Sequence, residues 1–410
     1  MFGGPMSREV ETSVVASNHE RFLDYARNDK GGGAPAIRHI YVHIPFCARI
    51  CPYCAFYKEL LDRSQLHRFC DALICELRQV AQDRSASVEA TAGRHLLPST
   101  IYFGGGTPTA LSTAQLHQLL NAFGAQLDLS TLSEWTVEAN PGSVSPRKAA
   151  LLRESGVNRI SLGVQSWDND LLRPLGREHD AAQAEQSFRI LREAGFSNIN
   201  IDLMFGLPGQ TLEQWRTTLE KTVALEPEHV SAYGLTYEED TDFFLRHWRG
   251  EFRQDERVEA EMFELTMSIL ESAGYDHYEI SNYARMGFES LHNRAYWAGA
   301  DYVGIGPSAF STVEMQRWQN VANHREYADR VLGGESPVAS IEQLTAEMKR
   351  TERIALGLRT RNGVPTRDLP PFNHATRELV DLGLLKAERE RIVLTQKGKA
   401  LADSVAELFV

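Results

Sequence analysis

The stretch YVHIPFCARICPYCAF, residues 41–56, contains Cys47, Cys51 and Cys54 at CxxxCxxC spacing. The run of apolar and β-branched residues from 40 to 44 predicts a buried strand. Pro45 would end this strand, because proline cannot donate a hydrogen bond to a neighbouring strand. The first cysteine therefore follows the carboxyl end of a buried strand, where α/β folds place their functional sites.

Three cysteines in one short loop restrict the chemistry. A structural zinc ion needs four ligands, and the sequence has no second CxxC pair. A disulfide would leave one thiol over. An iron–sulfur cluster is usually held by four thiolates, so three would leave one iron open to a small molecule. Free cysteines also occur in protein cores, but a core role does not explain why three of the five cysteines fall within eight residues.

The aromatic residues of this loop extend the pattern. Tyr53 precedes the third cysteine and Phe56 follows it, and both are expected to shield a cluster from water. CxxxCxxC with an aromatic residue before the third cysteine resembles the cluster loop of radical S-adenosylmethionine (SAM) proteins. The longer string resembles one branch of them, the oxygen-independent coproporphyrinogen oxidases and haem chaperones, and the resemblance extends from about Ile40 to the C-terminus. It implies a [4Fe–4S] cluster on the three cysteines, with SAM bound at the open iron.

Strands and helices alternate six times between about residues 40 and 236, which predicts parallel βαβ units. With right-handed crossovers they would form an α/β fold, a partial (β/α)6 barrel open at one side. Polar or glycine residues stand near the ends of several strands, and the resemblance assigns them to SAM. On their own, Glu138 would more often be inert and Arg177 a solvated charge. The SAM-binding residues implied by the resemblance are Tyr41, Gly105, Gly106, Thr107, Glu138, Gln165, Arg177 and Asp202.

The motif HNxxYW, residues 292–297, resembles the haem chaperone branch. A neutral imidazole can bind haem iron, and aromatic side chains can pack on a porphyrin. A lone histidine is also often a hydrogen-bonded core residue, so both roles stay open for His292. The motif is expected to help close the barrel beside the cluster.

The sequence divides into four predicted parts. Residues 1–36 are polar, lack the apolar core of a signal peptide, and are expected to be a flexible leader. Residues 37–238 would form the barrel and residues 239–340 an extension that closes it. Residues 341–410 combine helices with a hairpin, which predicts a mainly helical, winged-helix-like domain.

Composition limits the functional classes. The net charge of −12 argues against nucleic acid as a partner, and no apolar run is long enough to span a membrane. Peripheral contact with a membrane surface stays compatible with the sequence. Few cysteines and an oxygen-sensitive cluster suit a reducing cytoplasm.

The resemblance leaves two main functions open. One is a chaperone that binds haem as cargo and transfers it to apo-haemoproteins. The other is a coproporphyrinogen III dehydrogenase, and a radical SAM enzyme with another substrate is a third interpretation. The dehydrogenase branch resembles CxxxCxxCxC, but Phe56 stands at the position of the extra cysteine. That departure and HNxxYW favour the chaperone. SAM cleavage would need an electron donor such as flavodoxin or ferredoxin, and no protein residue is predicted to be catalytic.

Overall fold

The computed structural model describes residues 36–82, 94–369 and 373–409. Residues 1–35, most of the predicted leader, lie outside these ranges. The strands are Ile37–Ile44 (β1), Phe46–Cys47 (β2), Glu59–Leu60 (β3), Leu96–Gly105 (β4), Glu134–Ala139 (β5), Arg159–Gln165 (β6), Ile199–Phe205 (β7), His229–Gly234 (β8), Asp276–Glu279 (β9), Asn282–Ala284 (β10), Val303–Ile305 (β11), Phe310–Val313 (β12), Gln316–Asn320 (β13), Val338–Gln343 (β14), Val364–Pro365 (β15), Leu385–Glu388 (β16) and Arg391–Leu394 (β17).

The α-helices follow in the same order. They are Leu66–Ala81 (α1), Thr113–Gln126 (α2), Pro146–Glu154 (α3), Asn169–Leu172 (α4), Ala181–Glu193 (α5), Leu212–Ala224 (α6), Asp242–Trp248 (α7), Glu256–Ser272 (α8), Leu291–Trp297 (α9), His324–Leu332 (α10), Ala346–Leu358 (α11), Asn373–Asp381 (α12), Gln396–Lys399 (α13) and Ala402–Glu407 (α14). None of the helices in the described ranges is long and apolar enough to cross a membrane.

Six parallel strands form the centre of the fold, in the order β1-β4-β5-β6-β7-β8. The intervening helices begin at polar capping residues. Ser112, Asp180 and Thr211 each accept a hydrogen bond from the backbone three residues later and form capping boxes. The predicted α/β architecture with six βα units is therefore confirmed.

Residues beyond the sixth strand extend this sheet at both edges. β11 pairs in parallel with β1, whereas β10 and β9 add antiparallel strands beside β8. The resulting nine-stranded sheet begins at β11 and ends at β9. A separate three-stranded sheet, β12-β13-β14, follows β11.

The two faces of the central strands differ in chemistry. Side chains of alternate residues point to opposite faces of a strand. On β4 and β5, Ile101, Phe103, Trp135 and Val137 are fully buried in the apolar core. The intervening residues, such as Tyr102 and Glu138, face the inside of the barrel, which we call the lumen. The lumen is therefore polar, although the strands that form it are buried.

The C-terminal residues have a core of their own. Ile354 and Leu358 of α11 pack with residues of the small sheet β15-β17-β16 and of the last helices. Helices combined with a small sheet agree with the winged-helix-like prediction. Two short helices, α13 and α14, follow the small sheet and are separated by Ala400 and Leu401.

Candidate functional site

The three cysteines lie at the carboxyl ends of the parallel strands. Cys47 is the last residue of β2, which follows β1 directly, and Cys51 and Cys54 lie in the loop after it. The loop is held by backbone hydrogen bonds, including Cys54 N to Cys51 O and Leu61 N to Cys47 O. All three cysteines are half-buried free thiols, so none is withheld by a disulfide.

The surroundings of the thiols fit an iron–sulfur cluster. Burial raises the pKa of Cys47 to about 11 and raises that of Cys54 as well, whereas coordination to iron would deprotonate a thiol outright. Within the described ranges, no group of three or more His, Cys, Asp or Glu side chains could hold a single metal ion. In an iron–sulfur cluster each thiolate binds a different iron, so the three thiols need not converge on one ion.

The glycine turn after β4 brings its backbone against the cysteine loop. Gly106 N donates to Ile44 O at 2.9 Å and Thr107 N donates to Phe46 O at 2.9 Å. A Cβ atom on Gly106 would lie 2.5 Å from the Pro45 backbone, and Gly105 has a φ of +106°. Both positions therefore require glycine. Thr107 Oγ1 lies 3.6 Å from Cys47 Sγ, so the turn reaches the first thiol.

Glu138 lies next to this turn, inside the lumen. Tyr102 OH donates to its Oε1 at 2.8 Å. Burial raises the pKa of Glu138 to about 7, while the hydrogen bond from Tyr102 and the backbone N–H of Gly105 partly oppose that shift. The carboxylate keeps accessible surface and can accept a further donor from a ligand.

Gln165 and Arg177 lie at the end of β6 beside the cysteine loop. Gln165 has a φ of +68°, and the pairing of β6 with β7 shifts in register between Gly163 and Gln165. Positive φ at a residue other than glycine is strained and often marks a functional position. Arg177 donates to Gly163 O at 2.7 Å and lies 3.6 Å from Cys51 Sγ.

Asp202 completes the set on β7. Ser161 Oγ donates to its Oδ2 at 2.9 Å, and Asn200 Nδ2 donates to its Oδ1 at 2.7 Å. Burial raises its pKa, and the hydrogen bonds oppose that shift. A carboxylate within an apolar strand requires such hydrogen-bond partners.

The aromatic residues of the prediction differ in environment. Tyr41 stacks on Tyr102 with ring centroids 6.2 Å apart, deep in the lumen. Tyr53 packs against Phe243 of α7. Phe56, in contrast, is 73% exposed, so little of its ring is packed against the protein. The shielding expected from Phe56 stays a prediction, since the exposed ring is free to cover a group bound at the thiols.

Comparison with known proteins identifies relatives of similar length. The Radical SAM superfamily model matches residues 41–222. The heme chaperone HemW of Lactococcus lactis subsp. lactis (strain IL1403) is 39% identical over 380 residues, which cover 90% of this chain and 96% of the relative. The heme chaperone HemW of Bacillus subtilis (strain 168) is 36% identical over 385 residues, 91% of this chain and 99% of the relative. The chain belongs to the HemW family of radical SAM proteins.

A solved structure agrees with this assignment at the level of the fold. Coproporphyrinogen III oxidase (HemN) from Escherichia coli, described as a radical SAM enzyme, aligns with a TM-score of 0.76 and 23% identity. The alignment covers 95% of this chain and 93% of HemN. Membership of the radical SAM superfamily implies a [4Fe–4S] cluster and SAM in general terms, and the thiols, glycine turn and lumen carboxylates described above fit these groups.

The HNxxYW motif of this HemW-family chain lies at the opposite end of the barrel from the cysteines. Leu291 N and His292 N donate to the Glu134 carboxylate at the start of β5. His292 Nδ1 lies 2.9 Å from Thr100 Oγ1, as does His39 Nδ1. From His39 to Ile44 a strand rises roughly 17 Å. The expectation that the motif closes the barrel beside the cluster is therefore wrong, because Glu134 fixes α9 at the amino-terminal ends of the strands, which we call the floor.

His292 is nonetheless suited to bind a ligand from inside the lumen. Burial lowers its pKa to about 3, so its ring is neutral. Its Nδ1 is engaged with Thr100, whereas within the described chain no hydrogen bond reaches its Nε2. The ring packs on Tyr102 at 5.1 Å between centroids and keeps some accessible surface.

Sequence reasoning missed several lumen residues. These residues lie on the face of the sheet that carries the predicted SAM-binding residues. Some lie two residues from a predicted residue on the same strand, and the others lie elsewhere on these strands or on a neighbouring strand. An alternation of polar and apolar residues marks them on β1, β4, β6, β7 and β8, and this period of two could have identified them. The missed residues are His43, Thr100, Tyr102, Arg159, Asn200 and His229.

Proposed function

We propose that this chain is a haem chaperone that binds haem as cargo and transfers it to apo-haemoproteins. The observation that carries the proposal is the 39% identity with a protein named heme chaperone HemW over 96% of that protein's length. The similarity therefore includes the cysteine loop, the lumen and the region of HNxxYW together. The neutral His292 ring, with its Nε2 available, supports a role in holding haem iron.

In this proposal, Cys47, Cys51 and Cys54 hold a [4Fe–4S] cluster. The glycine turn, Glu138 and Asp202 orient SAM at the top of the lumen, together with Tyr41, Gln165 and Arg177. Tyr53 and Phe56 border the same site. When bound, the cluster and SAM supply one-electron chemistry at the mouth of the barrel. The protein's own contribution is to fix the thiols, present donors and acceptors, and limit the access of water.

The partners follow from the same role. The cluster would receive electrons from a donor such as flavodoxin or ferredoxin, and the cargo would pass to apo-haemoproteins. The cytoplasm is the compartment that best suits free thiols and a reduced cluster. We also propose residues 37–238, 239–340 and 341–410 as three parts: the barrel, the extension that adds strands and closes the floor, and the winged-helix-like domain.

A coproporphyrinogen III dehydrogenase is the second candidate, because the fold resembles that of HemN. Anaerobically reconstituted protein should be incubated with coproporphyrinogen III, SAM and a reductant, with active dehydrogenase as a positive control. We expect no protoporphyrinogen IX. Turnover at a rate comparable to the positive control would replace the chaperone proposal by the dehydrogenase.

Haem titration tests the proposed cargo and the role of His292. Wild-type protein should give a saturable absorbance change, and His292→Ala should change the spectrum and weaken binding. His67→Ala is the matched control, because His67 is 80% exposed on α1. Absence of haem binding in the wild type would contradict the proposed function. Identical spectra and affinities for His292→Ala and wild type would remove His292 as a ligand.

A further inference from the structure

Arg159, the first residue of β6, is a buried cation without a direct partner. Its side chain is 2% exposed. Its Nε is buried with no hydrogen bond, and among the described residues the guanidinium makes no hydrogen bond or ion pair. A buried charge without a partner is costly in free energy. Such a group calls for a partner outside the described side chains, such as a ligand or water.

Arg159 faces the lumen and lies between its functional groups. It shares a strand face with Ser161, whose hydroxyl contacts Asp202 inside the lumen. The charge of Arg159 influences the pKa values of groups at the floor and of groups near the proposed SAM-binding residues. These groups are Tyr102, Glu138, Asp202, His229, Tyr278 and His292.

A second unsatisfied group lies beside it. Thr136 of β5 is paired in register with Arg159 and is fully buried. Its Oγ1 also has no hydrogen-bond partner. Neighbouring strands thus present an unpaired guanidinium and an unpaired hydroxyl on one face, which is a donor set suited to an oxygen anion.

The lumen is accessible above this position. Tyr41, Tyr102, Glu138 and Asp202 all keep accessible surface although the strands around them are buried. His292 borders the same space at the floor. The Arg159 charge also acts on His292, so the guanidinium and the ring lie near the same part of the lumen.

We propose that Arg159 and Thr136 form an anion subsite in the lumen that binds a carboxylate of the cargo, namely a propionate of the porphyrin. This inference rests on the proposed haem-binding function and deepens it. The planar guanidinium can donate two hydrogen bonds to one carboxylate, and the Thr136 hydroxyl can donate a third. The subsite orients the porphyrin by its acidic edge, independently of any bond between its iron and His292.

The test compares haem with haem dimethyl ester, in which both propionates are neutral. Full-length, anaerobically reconstituted protein is titrated with each ligand in the same detergent-containing buffer. Wild type should bind the acid more tightly than the ester by about tenfold or more, as expected for charge-assisted hydrogen bonds. In Arg159→Gln the ratio of the affinity for haem to the affinity for its ester should fall towards one. The control Arg257→Gln, at a position that is 88% exposed on α8, should keep the wild-type ratio.

Further measurements separate a porphyrin subsite from a SAM-binding role for Arg159. SAM affinity should be the same in Arg159→Gln and wild type. A loss of SAM affinity with an unchanged acid-to-ester ratio would assign Arg159 to the SAM carboxylate and overturn the proposal. Thr136→Val, a change of similar volume, provides a second variant if Arg159→Gln does not fold, and it should reduce the ratio several-fold.

The outcomes distinguish the subsite from the function on which it rests. If wild type binds haem and its ester equally well, the subsite is wrong and the chaperone function stands, with water as the partner of Arg159. If wild type binds neither ligand, the proposed function and the subsite both fail.

Discussion

Two regions of the molecule contain buried carboxylates, but they satisfy them differently. Glu76 on α1 is 4% exposed and accepts hydrogen bonds from Gly306 N at 2.8 Å, Asn320 Nδ2 at 2.7 Å and Tyr327 OH. Its donors come from the loop after β11, from β13 and from α10. Glu138 has fewer donors and keeps accessible surface in the lumen.

This difference separates a carboxylate that stabilises the fold from one that can bind a ligand. We call the contacts of Glu76 with the extension the joint. The Glu76 carboxylate accepts three hydrogen bonds that connect the helix after the cysteine loop to the extension, and its burial leaves no surface for a ligand. At Glu138 and Asp202 the protein fixes each carboxylate but leaves acceptor capacity facing the lumen. Burial raises the pKa of both Glu76 and Glu138 to about 7. A shifted pKa alone therefore does not identify a functional site.

The largest expected effect is on stability, at Glu76. Glu76→Leu would leave three donors without an acceptor, and we expect a loss of about 4 kcal/mol in the free energy of unfolding. Chemical denaturation followed by circular dichroism checks this, with Glu220→Leu on the exposed surface of α6 as the control. Equal unfolding midpoints for the two variants would show that Glu76 is not a joint.

The corresponding change in the lumen should affect the ligand instead. Glu138→Gln removes a carboxylate that the proposed function assigns to SAM. We expect SAM affinity to fall by about ten- to hundredfold, the range for hydrogen bonds to charged groups. The unfolding midpoint should change little, because Tyr102 can still donate to the amide oxygen. Equilibrium dialysis on reconstituted protein measures the affinity, and unchanged SAM binding would remove Glu138 from the site.

The contrast also shows which parts of the structure the sequence could predict. The six βα units were predictable, because apolar strand runs alternate with amphipathic helices whose capping residues are local signals. The cysteine loop was predictable for the same reason, since Cys47, Cys51 and Cys54 lie within one short segment. The position of HNxxYW at the floor was not predictable. It depends on hydrogen bonds from the amino terminus of α9 to Glu134, which lies more than 150 residues earlier in the chain.

The lumen network was only partly predictable. Asp202 stood out as a charge in an apolar strand, but its donors come from residues on two strands. In the sequence, nothing distinguishes Arg159 from other charged residues that precede a strand. Its lack of a partner becomes visible only when neighbouring strands are placed around it, since satisfaction of a buried group is a property of the packed structure.

The raised pKa of Glu138 predicts a pH dependence for SAM binding. SAM is a sulfonium cation, so a proton on Glu138 competes with it below pH 7. SAM affinity should rise by up to about tenfold per pH unit as the pH increases towards 7, and then level off. Glu138→Gln should flatten this rise, whereas Glu220→Gln should not. A pH profile that is identical in wild type and Glu138→Gln would assign the dependence to another group.

The raised pKa of Glu76 makes the stability of the fold depend on pH. The folded chain binds more protons than the unfolded chain between the ordinary pKa of 4.5 and the raised value of about 7. The contribution of Glu76 to stability is therefore greatest below that window and is lost as the pH rises through it. This dependence should be unaffected by SAM, because no ligand reaches the joint.

The smallest expected effects come from a matched pair of hydroxyl deletions. Tyr327→Phe removes one donor from Glu76, and Tyr102→Phe removes one from Glu138. Tyr327→Phe should cost about 1 kcal/mol of unfolding free energy and leave SAM affinity unchanged. Tyr102→Phe should weaken SAM binding about threefold and cost less stability, because water in the lumen can replace the lost hydroxyl. Denaturation and equilibrium dialysis on both variants measure the two effects. If the variants lose stability and SAM affinity in the same proportion, the two regions are not distinct, and the polar lumen serves the fold rather than a ligand.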